Sequence, residues 1–184
     1  MKGSLELIIG NMFSGKTSEL IRRIKRAQFI NDNILVVNYI DDNRYNSDNV
    51  ITSHDNISFK SIKTRLLSDI PIDKINNSSS IFIDEAQFFD DLYEYVYTLV
   101  ETYGKHVVVA GLDGDCNRSK FGYILDLVPI CNTVDKYTAY CSVCKDGTPA
   151  PFTKKIFTNN IYPLDIEVGG LDKYTPVCRT HFGN

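Results

Sequence analysis

Three groups of residues in this sequence have the types and spacing that chemistry requires. The first, Gly10-Asn11-Met12-Phe13-Ser14-Gly15-Lys16-Thr17, fits the pattern Gly-x4-Gly-Lys-Ser/Thr. Its glycines let the backbone curl so that successive N–H groups point at one centre, and a helix opening there adds roughly half a positive charge. Such a cradle suits a triphosphate: Lys16 reaches the β and γ phosphates of ATP, and Thr17 offers its hydroxyl to Mg2+. The string alone arises by chance in on the order of one per cent of chains this long, so its surroundings decide. Apolar Leu5 to Ile9 precedes it as a strand, and Thr17 to Gln28 follows as a helix with Leu20, Ile21 and Ile24 at helical spacing.

The second group is Asp84-Glu85, at the end of the apolar run Ile81-Phe82-Ile83. In a parallel sheet such a strand end lies at the crevice beside the phosphate loop. Asp84 then serves Mg2+, directly or through water, and Glu85 is the carboxylate to accept a hydroxyl proton during phosphoryl transfer. A hydrolase would use the same glutamate to position water.

The third group pairs Cys141 and Cys144 (Cys-x2-Cys) with Cys178 and His181 (Cys-x2-His). Each pair presents two ligands from one tight turn, and two turns complete a tetrahedron around Zn2+. Four protein ligands leave no open position, so the predicted site is structural, not catalytic. Binding the metal also offsets the entropy of closing the long intervening stretch.

These residues need a scaffold, and the apolar pattern supplies one. Leu5 to Ile9, Ile34 to Val37, Ile81 to Ile83 and Val107 to Ala110 are strand-length runs alternating with helical segments, Leu92 to Thr102 being a helix ended by Gly104. The prediction is an α/β fold: a P-loop parallel sheet with flanking helices. Asp41 to Asn56 reads as a long functional loop and Asn76 to Ser80 as a turn. At Tyr140 the pattern changes, so residues 1–139 are read as the nucleotide-binding domain and 140–184 as a small zinc-ribbon lobe. The 184 residues suffice for one sizeable core, and no run approaches the roughly 18 apolar residues of a membrane span. A soluble, intracellular (cytoplasmic) protein is expected, since the start lacks a long apolar signal core and an odd number of cysteines suits metal ligation better than disulfides. The net charge of −3 and the balance of Lys145, Lys154, Lys155, Lys173 and Arg179 by Asp146, Asp165, Glu167 and Asp172 argue against a nucleic-acid partner.

Taken in order, Gly10 to Leu20, Asp42-Asn43-Arg44-Tyr45, Asp84-Glu85-Ala86-Gln87-Phe88-Phe89, Leu112-Asp113-Gly114, the four cysteine and histidine ligands and Gly169-Gly170-Leu171-Asp172-Lys173-Tyr174 resemble the cellular and poxviral type of thymidine kinase. The resemblance implies transfer of the γ-phosphate of ATP to the 5′-hydroxyl of thymidine, with Glu85 as proton acceptor. It implies that Arg44 and Asp42 form an active-site pair, that Phe88 lies against the thymine ring, and that Met12, Leu112, Thr153 and Tyr174 surround its methyl group. It further implies a lasso between the zinc-bound turns, whose backbone at Asp165-Ile166-Glu167-Val168-Gly169 reads the base. A homotetramer and feedback inhibition by thymidine triphosphate are also implied.

The sequence departs from that family's pattern at several points. Asn11 replaces a usual proline with little expected consequence. Cys116 replaces an aromatic residue that helps hold the substrate, with Phe121 placed to compensate. Lys155 replaces an arginine, keeping charge but losing the planar fork. His181 replaces a frequent fourth cysteine, about two extra residues near Pro149 lengthen the first turn of the ribbon, and neutral imidazole remains a sound zinc ligand. The alternatives are a kinase for another deoxynucleoside and a nucleic-acid-dependent P-loop ATPase with a zinc ribbon.

Overall fold

The computed structural model describes residues 3–30, 33–40, 50–52, 58–156 and 173–183. The chain enters through β1 (Ser4–Gly10), α1 (Lys16–Ile30) and β2 (Ile34–Tyr39). Then come β3 (Val50–Thr52), β4 (Ser58–Lys60), β5 (Ile62–Thr64), α2 (Ile72–Asn77) and β6 (Ser80–Ile83). Next are α3 (Leu92–Tyr97), β7 (His106–Leu112) and β8 (Thr133–Tyr137). The chain closes with β9 (Ala139–Tyr140), β10 (Pro149–Ala150), β11 (Phe152–Lys155), β12 (Tyr174–Val177) and α4 (Arg179–Phe182).

Six strands form one parallel sheet in the order β5-β2-β6-β7-β1-β8. Alternate side chains leave opposite faces of a strand, and here both faces are covered. Leu5, Leu7, Leu35, Val37, Ile81, Ile83, Val107 and Val109 join Phe89, Leu92, Val96 and Leu127 on one side. Ile8, Val36, Phe82, Val108 and Ala110 meet Leu20, Ile21 and Ile24 of α1 on the other. Burial on both faces is why these strands read as unbroken apolar runs. The α/β parallel sheet with flanking helices agrees with the sequence reading.

Some local expectations change. The segment Leu92 to Thr102 is not one uniform helix: after α3 it widens into a π turn over Thr98–Thr102, where the Tyr103 N–H donates to the Thr98 carbonyl at 3.1 Å. Within the expected loop Asp41 to Asn56, Val50–Thr52 is strand, paired antiparallel with β4. Within the expected turn Asn76 to Ser80, the first two residues finish α2 and Ser80 opens β6, because the Ser79 N–H bonds Asn33 O at 2.9 Å beside the sheet.

Past β8 the chain builds two small antiparallel pairs, β9 with β10 and β11 with β12. Ala139, Cys141, Ala150, Val177 and Cys178 form their buried core.

Candidate active site and metal cluster

The phosphate loop leaves β1 at Gly10 with φ of 151°, where a Cβ would overlap the Tyr137 carbonyl oxygen of neighbouring β8. Only glycine fits there. The loop then curls around its own main chain. The Lys16 ammonium donates to the Asn11 carbonyl at 2.7 Å, and the Ser14 hydroxyl donates to the same oxygen at 2.8 Å. Phe13 takes a left-handed conformation with φ of 64°. Thr17 lies in the first turn of α1, where the Glu19 N–H closes on Gly15 O at 3.0 Å.

Asp84 and Glu85 follow the last residue of β6, one strand beyond the neighbour of β1. Both are buried, and Asp84 Oδ1 accepts the Glu85 N–H at 3.0 Å. Glu85 sits at φ 53°, ψ 38°, a left-handed conformation that costs a non-glycine residue about 1 kcal/mol and recurs at functional sites. Glu85 lines the same cleft as Met12 to Ser18 and Leu112.

A residue that sequence reasoning left without a role holds the Glu85 carboxylate. Gln87, 3% exposed, donates from Nε2 to Glu85 Oε2 at 2.6 Å, while its Oε1 accepts the Leu112 N–H at 2.9 Å. One side-chain amide therefore links the turn after β6 to the end of β7. The packing behind it is tight: Gly122 has φ of 60°, and a Cβ there would overlap the Gln87 carbonyl oxygen.

The four sulfur and nitrogen ligands also converge, all within 4.8 Å of one another. The Sγ atoms of Cys144 and Cys178 are 3.8 Å apart. That is the edge of a tetrahedron with Zn–S bonds of about 2.3 Å, and far beyond the roughly 2.05 Å of a disulfide. His181 Nδ1 lies 3.6, 3.3 and 3.3 Å from Cys141, Cys144 and Cys178, close to the mixed S–N edge of about 3.6 Å. Burial pushes the Cys141 thiol up, but the N–H groups of Cys144, Cys178 and Val143, together with His181, outweigh it and hold it at about 6. Burial and the neighbouring Cys141 push Cys144 up to about 11. Thiolates held this close repel one another, a repulsion that a divalent cation removes. Donor types and spacing both fit zinc.

The family model described as thymidine kinase matches residues 3–182 of this sequence. The chain belongs to the thymidine kinase family. Thymidine kinase a of Arabidopsis thaliana is 42% identical over 98% of this chain and 75% of its own length. Thymidine kinase of a variola virus isolate is 40% identical over 96% and 95%, and cytosolic thymidine kinase of Bos taurus is 40% identical over 97% and 71%. A member of this family is a phosphotransferase.

In this thymidine kinase family member the expected base-facing residues are partly gathered. Phe88 stacks on Tyr39 with centroids 5.2 Å apart and meets Phe121 edge-on at 5.4 Å. Tyr39, unmarked by any motif, ends β2 and also meets Phe89 edge-on at 5.4 Å. Thr153 is buried, and its hydroxyl accepts the Met12 N–H at 3.1 Å, so it braces the phosphate loop. Tyr174 is buried opposite Lys155 across the β11–β12 pair. Cys116 is half-buried in the loop after β7; burial and Asp115 push its thiol up, and Lys155 opposes them. Asp42, Arg44 and Asp165 to Gly169 lie outside the described residues. Among the described residues no helix is long and apolar enough to cross a membrane.

Proposed function

We propose that this protein transfers the γ-phosphate of ATP to the 5′-hydroxyl of thymidine. The observation that carries the reading is the placement of a buried glutamate, Glu85, in one cleft with the phosphate loop and Leu112. The 5′-oxygen attacks the γ-phosphorus, the bond from phosphorus to the β,γ-bridging oxygen breaks, ADP leaves, and Glu85 takes the hydroxyl proton.

The chain's groups divide the labour. Main-chain N–H groups of the loop Gly10 to Thr17 cradle the phosphates, apart from that of Met12, which Thr153 holds, and Lys16 exchanges the Asn11 carbonyl for phosphate oxygen. Thr17 and Asp84 would hold Mg2+, which when bound neutralises charge on the β and γ phosphates. Arg44 steadies charge on the transferring group, with Asp42 as its active-site partner. Phe88, flanked by Tyr39 and Phe121, presents an aromatic surface to the base, and Met12, Leu112, Thr153 and Tyr174 surround its methyl group. Cys116 and Phe121 help hold the nucleoside, and the backbone of Asp165 to Gly169 reads the pyrimidine edge. Discrimination on one methyl group is worth roughly 1 to 3 kcal/mol. Cys141, Cys144, Cys178 and His181 would hold Zn2+, which when bound ties together the two ends of the substrate-covering segment.

The same reading divides the chain into a nucleotide-binding unit, 1–139, and a zinc-binding unit, 140–184. It carries a cytoplasmic homotetramer inhibited by thymidine triphosphate, with no nucleic-acid or membrane partner. The test is γ-labelled ATP with thymidine, deoxyuridine, deoxycytidine and a purine deoxynucleoside in turn, and with single-stranded DNA. Label on thymidine is the expected result. Label on deoxycytidine but not thymidine overturns the specificity, and hydrolysis stimulated by DNA without a labelled nucleoside overturns the reaction.

A further inference from the structure

The phosphate loop is held from two sides. Its inner side belongs to the parallel sheet and α1; its outer side is attached to the cysteine lobe. Asn11, 3% exposed, makes two of the attachments through its side chain. Its Nδ2 donates to the Phe152 carbonyl at 3.4 Å, and its Oδ1 accepts the Ala139 N–H at 3.3 Å. Alongside, the Met12 N–H donates to Thr153 Oγ1, and Phe13 packs against the core that contains Cys141 and Cys178.

Asn11 is also the hub of the loop itself, because its carbonyl accepts both the Lys16 ammonium and the Ser14 hydroxyl. A triphosphate entering the cradle competes for Lys16, so the main chain at Asn11 responds to occupancy. The side chain of the same residue passes that response to Ala139, two residues before Cys141, and to Phe152, the first residue of β11.

We propose that Asn11 is a positioning residue that couples the metal cluster to the phosphate loop, so that nucleotide binding and zinc retention reinforce each other. The inference rests on the reading that ATP occupies the loop and zinc the cluster. Linkage makes the effect reciprocal: whatever nucleotide does for zinc, zinc does for nucleotide affinity.

The test measures zinc release from the full-length protein to the chromogenic chelator 4-(2-pyridylazo)resorcinol, with and without the Mg2+ complex of the non-hydrolysable analogue adenylyl imidodiphosphate. Zinc content and analogue binding are measured first on the wild-type protein. Absence of either overturns the functional reading itself, and the coupling with it. With both present, the analogue should slow release about fivefold or more in the wild type and less than about twofold in Asn11→Ala, a coupling at the lower end of the usual range. A purely structural loss would speed release equally with and without analogue and leave the ratio unchanged. Equal protection in wild type and Asn11→Ala overturns the proposal, as does a zinc-loaded, nucleotide-binding wild type with no protection. Asn11→Asp keeps the acceptor for Ala139 and loses the donor to Phe152, so its protection should fall between the two. Should Asn11→Ala fail to fold, wild-type protection in Asn11→Asp overturns the proposal.

Discussion

Replacing Gln87 with methionine tests the arrangement at Glu85 most directly. Methionine nearly fills the volume of the glutamine side chain but removes the bond to Glu85 Oε2 at 2.6 Å and the acceptor for the Leu112 N–H at 2.9 Å. A hydrogen bond to a charged group is worth about 1.5 to 3 kcal/mol. A carboxylate released from it must be brought back into line during reaction, so kcat should fall roughly 10- to 150-fold. The orphaned Leu112 N–H adds a stability loss of about 1 to 3 kcal/mol. Steady-state kinetics on thymidine and ATP, with thermal melts on the same samples, separate the two effects. The KM for ATP should stay within about twofold, since the Gln87 amide bonds Glu85 and Leu112, which stand outside the phosphate loop. Gln87→Glu keeps an acceptor for Leu112 but sets one carboxylate against another, and should be at least as damaging to kcat. A lowered melting temperature with unchanged kcat in Gln87→Met would refute the positioning argument.

Other outcomes follow from the same geometry. Gly122→Ala should destabilise by about 2 to 4 kcal/mol in urea melts, combining a left-handed backbone with overlap against the Gln87 carbonyl. The Glu19 carboxyl, hydrogen-bonded by Arg22 and Arg23, is held below its ordinary value despite burial. Its stabilisation is therefore complete above the ordinary carboxylate pKa and disappears as pH falls through the lower folded value. Glu19→Gln should cost about 1 to 3 kcal/mol at neutral pH and flatten the acid limb of the stability profile, as read from melts across that range. Cys144→Ser should reduce zinc content, measured by atomic emission, from about one per chain to near zero and lower the melting temperature.

Most of the scaffold was legible because its strands are buried on both faces. Leu5 to Ile9, Ile81 to Ile83 and Val107 to Ala110 had to be apolar throughout, and such runs mark themselves. β8 escaped because it is an edge: Thr133, Val134, Asp135 and Lys136 are exposed, so no apolar pattern distinguishes them from a loop. The π turn after α3 depends on which carbonyl the Tyr103 N–H reaches, and side-chain spacing does not encode that. At the site, the phosphate loop, Asp84-Glu85 and the four ligands are marked by local spacing. Gln87 and Tyr39 are not: each acts across chain neighbours far apart in sequence, on Leu112 and Phe88. Asn11 shows the opposite failure. It sits inside the motif, yet comparison with a residue that bonds nothing hid a side chain whose partners, Ala139 and Phe152, lie at the far end of the chain.

The place of β1 in the sheet bears on how the molecule is made. β1 is made before the other five strands of that sheet yet lies between the last two of them, with Ser4 beside His106 and Gly10 beside both Leu112 and Tyr137. At roughly 5 to 20 residues per second, several seconds of translation pass before its neighbours emerge. During that interval Leu5, Leu7, Ile8 and Ile9 belong to a nascent chain in which neither strand that will flank them has been made. A pause-resolved folding experiment should find this apolar segment engaged by a holdase until Tyr137 clears the exit tunnel.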